Sequence, residues 1–406
     1  MRLAAIALLT AALATIGDSS AVKASIPPFG ANDAAAADNA FGFALLRAVT
    51  KGKQANAVLS PVSVGLDLAM VYNGARGQTA TEMDAVLQLK GTSPRALNSA
   101  NSSLEKTLRA PVKSVELDVA NSLWSDRRRL ALDPAFTKAL AAAYAAEIRD
   151  VDFSAPATLG AINAWADKET RGKIKKILDS ISHQDLLFLI NAVYFKGEWS
   201  AKFDKKLTVD RDFKSAGGSV KKVPLMQQSG EYRYAETKLF QAIQLPYGDG
   251  ALRMFVFLPD KSSSLAELVE TLDAANWSRF TSEFSPRRGH IELPRFSVEY
   301  SALLNRPLME LGMRRAFSPQ SADLGAMFVA GKSRANPFIG FVKHDTYLRV
   351  DEEGSEAAAM TTTGIRTTSI RIEPPPFTMV VDRPFFCAIA DGRTGALLFV
   401  GAIYNP

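Results

Sequence analysis

Apolar residues recur along this chain in two rhythms, and the rhythm changes partway. Phe41, Leu45, Leu46 and Val49 fall at helical spacing behind Asp38 or Asn39 as an N-cap, after an alanine-rich lead-in from Asp33 to Asp38. Val64 to Tyr72 predicts a buried helix that ends in the turn Gly74-Ala75-Arg76-Gly77. Thr79-Ala80-Thr81-Glu82 starts the next helix with a carboxylate in its first turn. Ala139 to Ile148 is alanine-rich and predicts a helix, and Leu159 to Leu178 predicts another, interrupted at Gly172. Strands dominate the second half. Leu186 to Phe195 and Leu252 to Leu258 are nearly continuous apolar runs, as strands buried on both faces require. Ile291 to Phe296 partly alternates, as a half-buried strand does, and Leu397 to Ile403 follows the turn Asp391-Gly392-Arg393-Thr394-Gly395. Helices early and strands late predict an α+β fold, not a βαβ repeat.

Composition narrows the function classes. The chain has 406 residues, 47% hydrophobic and 22% charged, with a net charge of +6. That is ordinary for a globular protein. Charges of both signs are spread along it without a long basic run, which argues against nucleic acid as a partner. Arg127-Arg128-Arg129 is a short basic run that reads as a solvated turn. The single cysteine, Cys387, excludes an internal disulfide and sits in an apolar run as a buried thiol. His183, His290 and His344 are scattered, so no zinc spacing exists and no metal or cofactor is expected. No Gly-x-Ser-x-Gly elbow is present, and an enzyme is not expected.

The N-terminus reads as an export signal. Arg2 is the positive region, Leu3 to Ile16 the apolar region, and Val22-Lys23-Ala24 a small-residue cleavage site. Cleavage is expected after Ala24, with Ala21 as the alternative. Residues 1–24 are then a signal peptide and 25–406 a single domain, placed outside the cytoplasm, secreted or periplasmic. No later segment is long and apolar enough to span a bilayer.

Glu352 to Pro376 breaks the pattern. It lies between strand-like blocks, yet it is small, polar and poor in large hydrophobics. A loop of this length inside a compact domain is functional or disordered. Read as a strand, one face carries Ser355, Ala357, Ala359, Thr361, Thr363 and Ile365. The other carries Glu356, Ala358, Met360, Thr362, Gly364 and Arg366, which puts both charges on one face. Such a strand is built to slide between existing strands, with Gly354 as a hinge. Pro374-Pro375-Pro376 then forces a stiff extended stretch.

The segment Glu352-Glu353-Gly354-Ser355-Glu356-Ala357-Ala358-Ala359, with Thr361 beyond it, closely resembles the reactive-loop hinge of inhibitory serpins. The resemblance covers nearly the whole mature chain. It runs through Asn56-Ala57-Val58-Leu59-Ser60-Pro61-Val62-Ser63, Asn163-Ala164-Trp165 and Asn191-Ala192-Val193-Tyr194-Phe195-Lys196-Gly197-Glu198-Trp199. Leu293-Pro294-Arg295-Phe296 and Asp382-Arg383-Pro384-Phe385 complete the order.

The resemblance implies a serpin fold of three β-sheets and about nine helices, with an exposed C-terminal reactive loop over about 352–376. It implies an inhibitor, not an enzyme, cut once by a serine protease and trapping it as an acyl-enzyme when the loop inserts into the central sheet. Counting fourteen residues from Ser355 places the cut at Thr368–Ser369, a pair similar to that of related bacterial serpins. Elastase-like or subtilisin-like proteases suit that bond. Arg366 and Arg371 are the alternatives and suit trypsin-like enzymes, and a cysteine protease is a further possible partner class. Ser60, Ser63, Asn191 and His344 match the family's polar network beneath the opening sheet, and Trp199 the position where the loop first enters. Asp345, next to His344, adds a charge there. A monomer is expected. Within the same fold the competing reading is a non-inhibitory carrier, chaperone or plain protease substrate. The small hinge residues favour inhibition.

Overall fold

A computed structural model describes residues 29–353 and 374–406. The expected signal peptide lies outside these residues. So do Gly354, Ser355, Glu356, Ala357, Ala358, Ala359, Thr361, Arg366, Thr368, Ser369 and Arg371.

The first part is helical around one short strand: α1 (Ala31–Thr50), β1 (Ala57–Leu59), α2 (Pro61–Tyr72), α3 (Gly77–Leu87) and α4 (Pro94–Arg109). α1 starts ahead of the expected cap. The alanine lead-in favours helix, and the Asp33 carboxylate accepts the Gly30 N–H at 2.8 Å. α2 starts at Pro61 behind Ser60, whose hydroxyl accepts the Ser63 N–H at 3.4 Å.

The middle holds β2 (Val115–Asp126), α5 (Pro134–Tyr144), β3 (Glu147–Val151), α6 (Pro156–Glu169) and β4 (Leu187–Gly197). Two helix expectations are corrected here. The helix predicted to Ile148 stops at Tyr144, because Ala145 turns left-handed (φ 44°) and Glu147–Val151 pairs instead with Ser122–Asp126. The helix predicted to Leu178 stops at Glu169, because Arg171 (φ 52°) and Gly172 (φ 80°) break it.

The remainder runs β5 (Val209–Lys214), β6 (Val220–Glu236), β7 (Phe240–Tyr247), β8 (Leu252–Pro259), α7 (Leu265–Thr271), α8 (Ala274–Ser282) and β9 (Ser285–Pro294). It continues with β10 (Phe296–Leu303), α9 (Asn305–Leu311), β11 (Phe341–Val350), β12 (Phe377–Val380), β13 (Phe385–Asp391) and β14 (Leu397–Ile403). The strand expected over Ile291 to Phe296 divides at Arg295. Its N–H still bonds β6, at Pro224 O (2.9 Å), and from Phe296 onward the chain pairs with β11 in the other sheet.

The described residues form two hydrogen-bonded sheets. A five-stranded sheet has the order β10-β11-β4-β2-β3. A nine-stranded one has the order β1-β14-β13-β8-β7-β6-β9-β12, with β5 also on β6. The expected three sheets become two because the 17-residue β6 runs through both parts of the larger one. With nine α-helices among the described residues, the architecture is the expected α+β. β4 is buried on both faces: Leu187, Leu189 and Val193 enter the main core, while Phe188, Ile190 and Ala192 pack with Ile162, Trp165 and Ala166 of α6. That double burial is why its sequence is a nearly continuous apolar run, interrupted at Asn191.

Candidate functional site: a parallel seam with a tethered segment

β4 and β11 lie side by side and parallel, in register from Phe341↔Phe188 to Leu348↔Phe195. Each is antiparallel to its other neighbour, β2 and β10. β11 ends at Val350, and the described residues beyond Glu353 resume at Pro374. A segment that turned back along β11 would run antiparallel to it. It would therefore also be antiparallel to β4. One weaker parallel ladder would be exchanged for two antiparallel ones.

Beneath this seam the structure brings Ser60, Ser63, Asn191 and His344 into one buried cluster. The Ser60 N–H donates to His344 Nε2 at 3.0 Å, so the imidazole proton sits on Nδ1, which donates to Asn191 Oδ1. His344 and Asn191 are register partners, so this bond ties β11 to β4. Asn191 Nδ2 in turn donates to Asp67 Oδ2 at 3.0 Å, and Ser63 Oγ to Asn121 Oδ1 at 2.9 Å. Burial holds His344 neutral, with its pKa lowered to about 3, and neighbouring Lys343 adds to the effect. Burial also pushes the Asp67 carboxyl well above its ordinary range, against the hydrogen bond from Asn191. Asp67 and Asn121 were not expected from the sequence. The available signal was an acid in α2, a helix buried all round. Asp345 does not join the cluster. It lies on the opposite face, 5% exposed, 3.4 Å from the Lys343 ammonium, and burial raises its pKa.

The root of the tethered segment is pinned. Trp199 stacks on Tyr247 (4.3 Å, 12°), and its indole N–H donates to Asp351 O at 2.8 Å. Glu352 is 2% exposed and takes both nitrogens of an Arg295 fork, with Nε at 3.0 Å, plus the Thr208 hydroxyl at 2.6 Å. Burial alone would raise this carboxyl, but the bonds from Arg295 and Thr208 hold it below the ordinary glutamate value. Glu353 pairs with Lys205 at the surface. At the other root, Arg287 Nε donates to Pro375 O at 3.0 Å, and the Phe377 ring stacks on Tyr234 (3.9 Å, 7°). Phe377 also lies over Gly289, where an added Cβ would sit 2.2 Å from the ring.

Other sequence features have structural partners. Arg129 pairs with Asp126 at 2.6 Å and donates to the carbonyls of His183 and Asp185, which ties a turn. Cys387 is buried, and burial pushes its thiol up to about 12, which leaves it inert. Among the described residues no group of three or more His, Cys, Asp or Glu could hold a metal ion, and no helix is long and apolar enough to cross a membrane.

The His344 bond carries a pH dependence. The unfolded imidazole protonates near 6.5 and the folded one only near 3. Between these values the unfolded chain holds the extra proton, so stability falls as pH drops, by about 2 kcal/mol at pH 5 relative to pH 8. Glu105, pushed up to about 7 by burial, works in the opposite sense. The His344 contribution is therefore read as the difference between the wild type and His344→Gln. The unfolding midpoint of the wild type should lose ground to the variant from pH 7 to pH 5. Parallel curves would contradict the assignment.

Two sheets with nine α-helices among the described residues, a parallel β4–β11 seam over a buried polar cluster and a pinned root at the end of β11 define the class of fold. A family model described as "Serpin (serine protease inhibitor)" matches residues 36–406, and the chain belongs to the serpin family. It is 32% identical to iripin-2 of Ixodes ricinus over 375 residues, covering 90% of this chain and 92% of that one. It is 31% identical to the leukocyte elastase inhibitor of Homo sapiens, covering 91% and 98%. Among solved structures, the thermophilic serpin tengpin in its native state superposes with a TM-score of 0.82 at 29% identity, covering 92% of this chain and 94% of that one.

Proposed function

We propose that the protein inhibits a serine protease as a suicide substrate. The protease attacks the loop at Thr368–Ser369 and forms an acyl-enzyme. The freed segment then inserts between β4 and β11. The observation that carries this reading is the fully paired parallel seam beside a small-residue segment rooted at the end of β11. The match to tengpin in its native state supports reading this closed sheet as the form that precedes insertion. Inserting fourteen residues at ~3.4 Å each would carry the cut end roughly 48 Å. A catalytic serine dragged that far loses the alignment that deacylation needs, which fails at about 1 Å. The threonine before the cut favours elastase-like or subtilisin-like targets. The leukocyte elastase inhibitor among the relatives agrees with that class. The positive, apolar and small-residue order of residues 1–24 supports a place of action outside the cytoplasm.

The test mixes the protein with elastase-, subtilisin- and trypsin-like enzymes. A denaturation-resistant complex should form with the first two, with a released fragment that begins at Ser369. A fragment beginning at Thr367 or at Ile372 would move the bond to Arg366 or Arg371. Complete cleavage without complex, for every enzyme, would favour the non-inhibitory reading.

A further inference from the structure

The seam is also fastened on its outer face. Tyr194 of β4 and Tyr347 of β11 are register partners whose rings stack across it (6.5 Å, 9°). The segment that follows α6 crosses above them. Arg171 places its guanidinium 5.4 Å from the Tyr194 ring centre, and Lys173 its ammonium 5.5 Å from that of Tyr347. Arg171 is itself anchored on β2, to Asp118 at 2.8 Å and to Glu116. One short segment therefore holds β2, β4 and β11 together where the seam must part.

The backbone indicates that the side chain is what matters at Arg171. It sits in the left-handed region (φ 52°), where a Cβ crowds the following carbonyl oxygen and glycine is relaxed. Thr170 enforces the turn: it is fully buried, its hydroxyl donates to Ala166 O at 2.7 Å and accepts the Ile174 N–H at 2.9 Å. An arginine is thus kept where glycine would be relaxed, and its contacts are those that close the seam.

We propose that Arg171 and Lys173 form a releasable strap that sets how fast the β4–β11 seam opens, and that ionic strength controls its release. This rests on the reading of the protein as an inserting inhibitor. A new strand between β4 and β11 moves them from ~4.8 Å to ~9.6 Å apart. That carries the two tyrosines beyond the ~7 Å limit of ring pairing, so the strap cannot keep both rings. The Arg171 side chain is 50% exposed, with Glu116 42% and Asp118 35%. Ion pairs this open weaken as salt shortens the screening length from about 30 Å at 0.01 M to a few ångströms near 1 M.

The experiment measures uptake by the full-length protein of a synthetic peptide with the sequence of residues 355–368, at low and high NaCl. Uptake by the wild type should quicken roughly 5-fold with salt. Arg171→Gly combined with Lys173→Gln should take up peptide about 10-fold faster than the wild type at low salt and lose most of the salt response. Arg171→Gly alone should fold normally, since it relieves the backbone, yet insert faster. Wild-type uptake with unchanged variant rates would overturn the strap alone. No uptake by the wild type under any condition would overturn the insertion reading on which it rests.

Discussion

Ser355→Arg is expected to convert the protein from an inhibitor into a substrate. The protease should cut the loop and leave, and no gel-stable complex should form. Under the proposed mechanism the outcome is set by a race between insertion of the cut segment and deacylation of the enzyme. Ser355 stands at the head of the uncharged face in the sequence, the one that under this mechanism would enter first between β4 and β11. The seam floor there is apolar: Val193 and Leu348 are each fully buried. Driving an unpaired guanidinium into that environment costs several kcal/mol even after relaxation. Five kcal/mol would slow insertion by more than about 10³-fold, enough for deacylation to win. The check is the ratio of inhibitor consumed to enzyme trapped. It should rise by at least two orders of magnitude, while the rate of first cleavage stays unchanged because the cut lies far along the loop. A variant that trapped as well as the wild type would mean that the segment does not insert from this end.

Much of this machine was legible in the sequence, and what was missed has physical causes. β4, β8 and β14 were readable because strands buried on both faces are nearly continuous apolar runs. β6 was not, because its burial alternates irregularly and its outer half is solvated. α4 escaped because its residues are mostly polar, with only one narrow apolar stripe including Leu97, Leu104 and Leu108. The break at Arg295 left only a faint mark, a one-residue shift in the apolar phase from Ile291 and Leu293 to Phe296 and Val298, which one exposed residue is enough to produce. The four polar residues under the seam were found by resemblance, but their partners Asp67 and Asn121 come from separate elements, α2 and β2. Only packing brings those together. The strap was hidden for a similar reason. Nothing local in Thr170-Arg171-Gly172-Lys173 announces that two aromatic rings on strands far apart in sequence lie beneath it.

Glu352→Lys tests the root of the segment from the stability side. In the native protein Glu352 is almost wholly buried, and its oxygens meet Arg295 and Thr208 while its carbonyl accepts the Phe203 N–H at 3.2 Å. Charge reversal removes the side-chain bonds to Arg295 and Thr208 and places an ammonium against the Arg295 guanidinium, with Lys205 nearby. Arg295 is 46% exposed, so the loss lies between that of a surface pair and that of a fully buried one, roughly 2–4 kcal/mol. The unfolding midpoint should fall by several degrees. Glu352→Gln, which keeps the shape and one acceptor, should fall by less. The pH sign follows from a carboxyl held below its ordinary value: the stabilisation is present at neutral pH and is lost as pH drops through and below the usual glutamate range. The wild type should therefore converge on Glu352→Gln in acid. Because Asp351 and Glu352 tie the end of β11 to Trp199 and to Arg295 at the head of β10, loosening them should also loosen the upper seam. On gentle warming the lysine substitution should then drive self-association, as the open seam of one molecule accepts the loop of another. An excess of the 355–368 peptide should suppress that association by filling the seam first. Self-association that the peptide leaves unchanged would place the damage elsewhere than in the sheet.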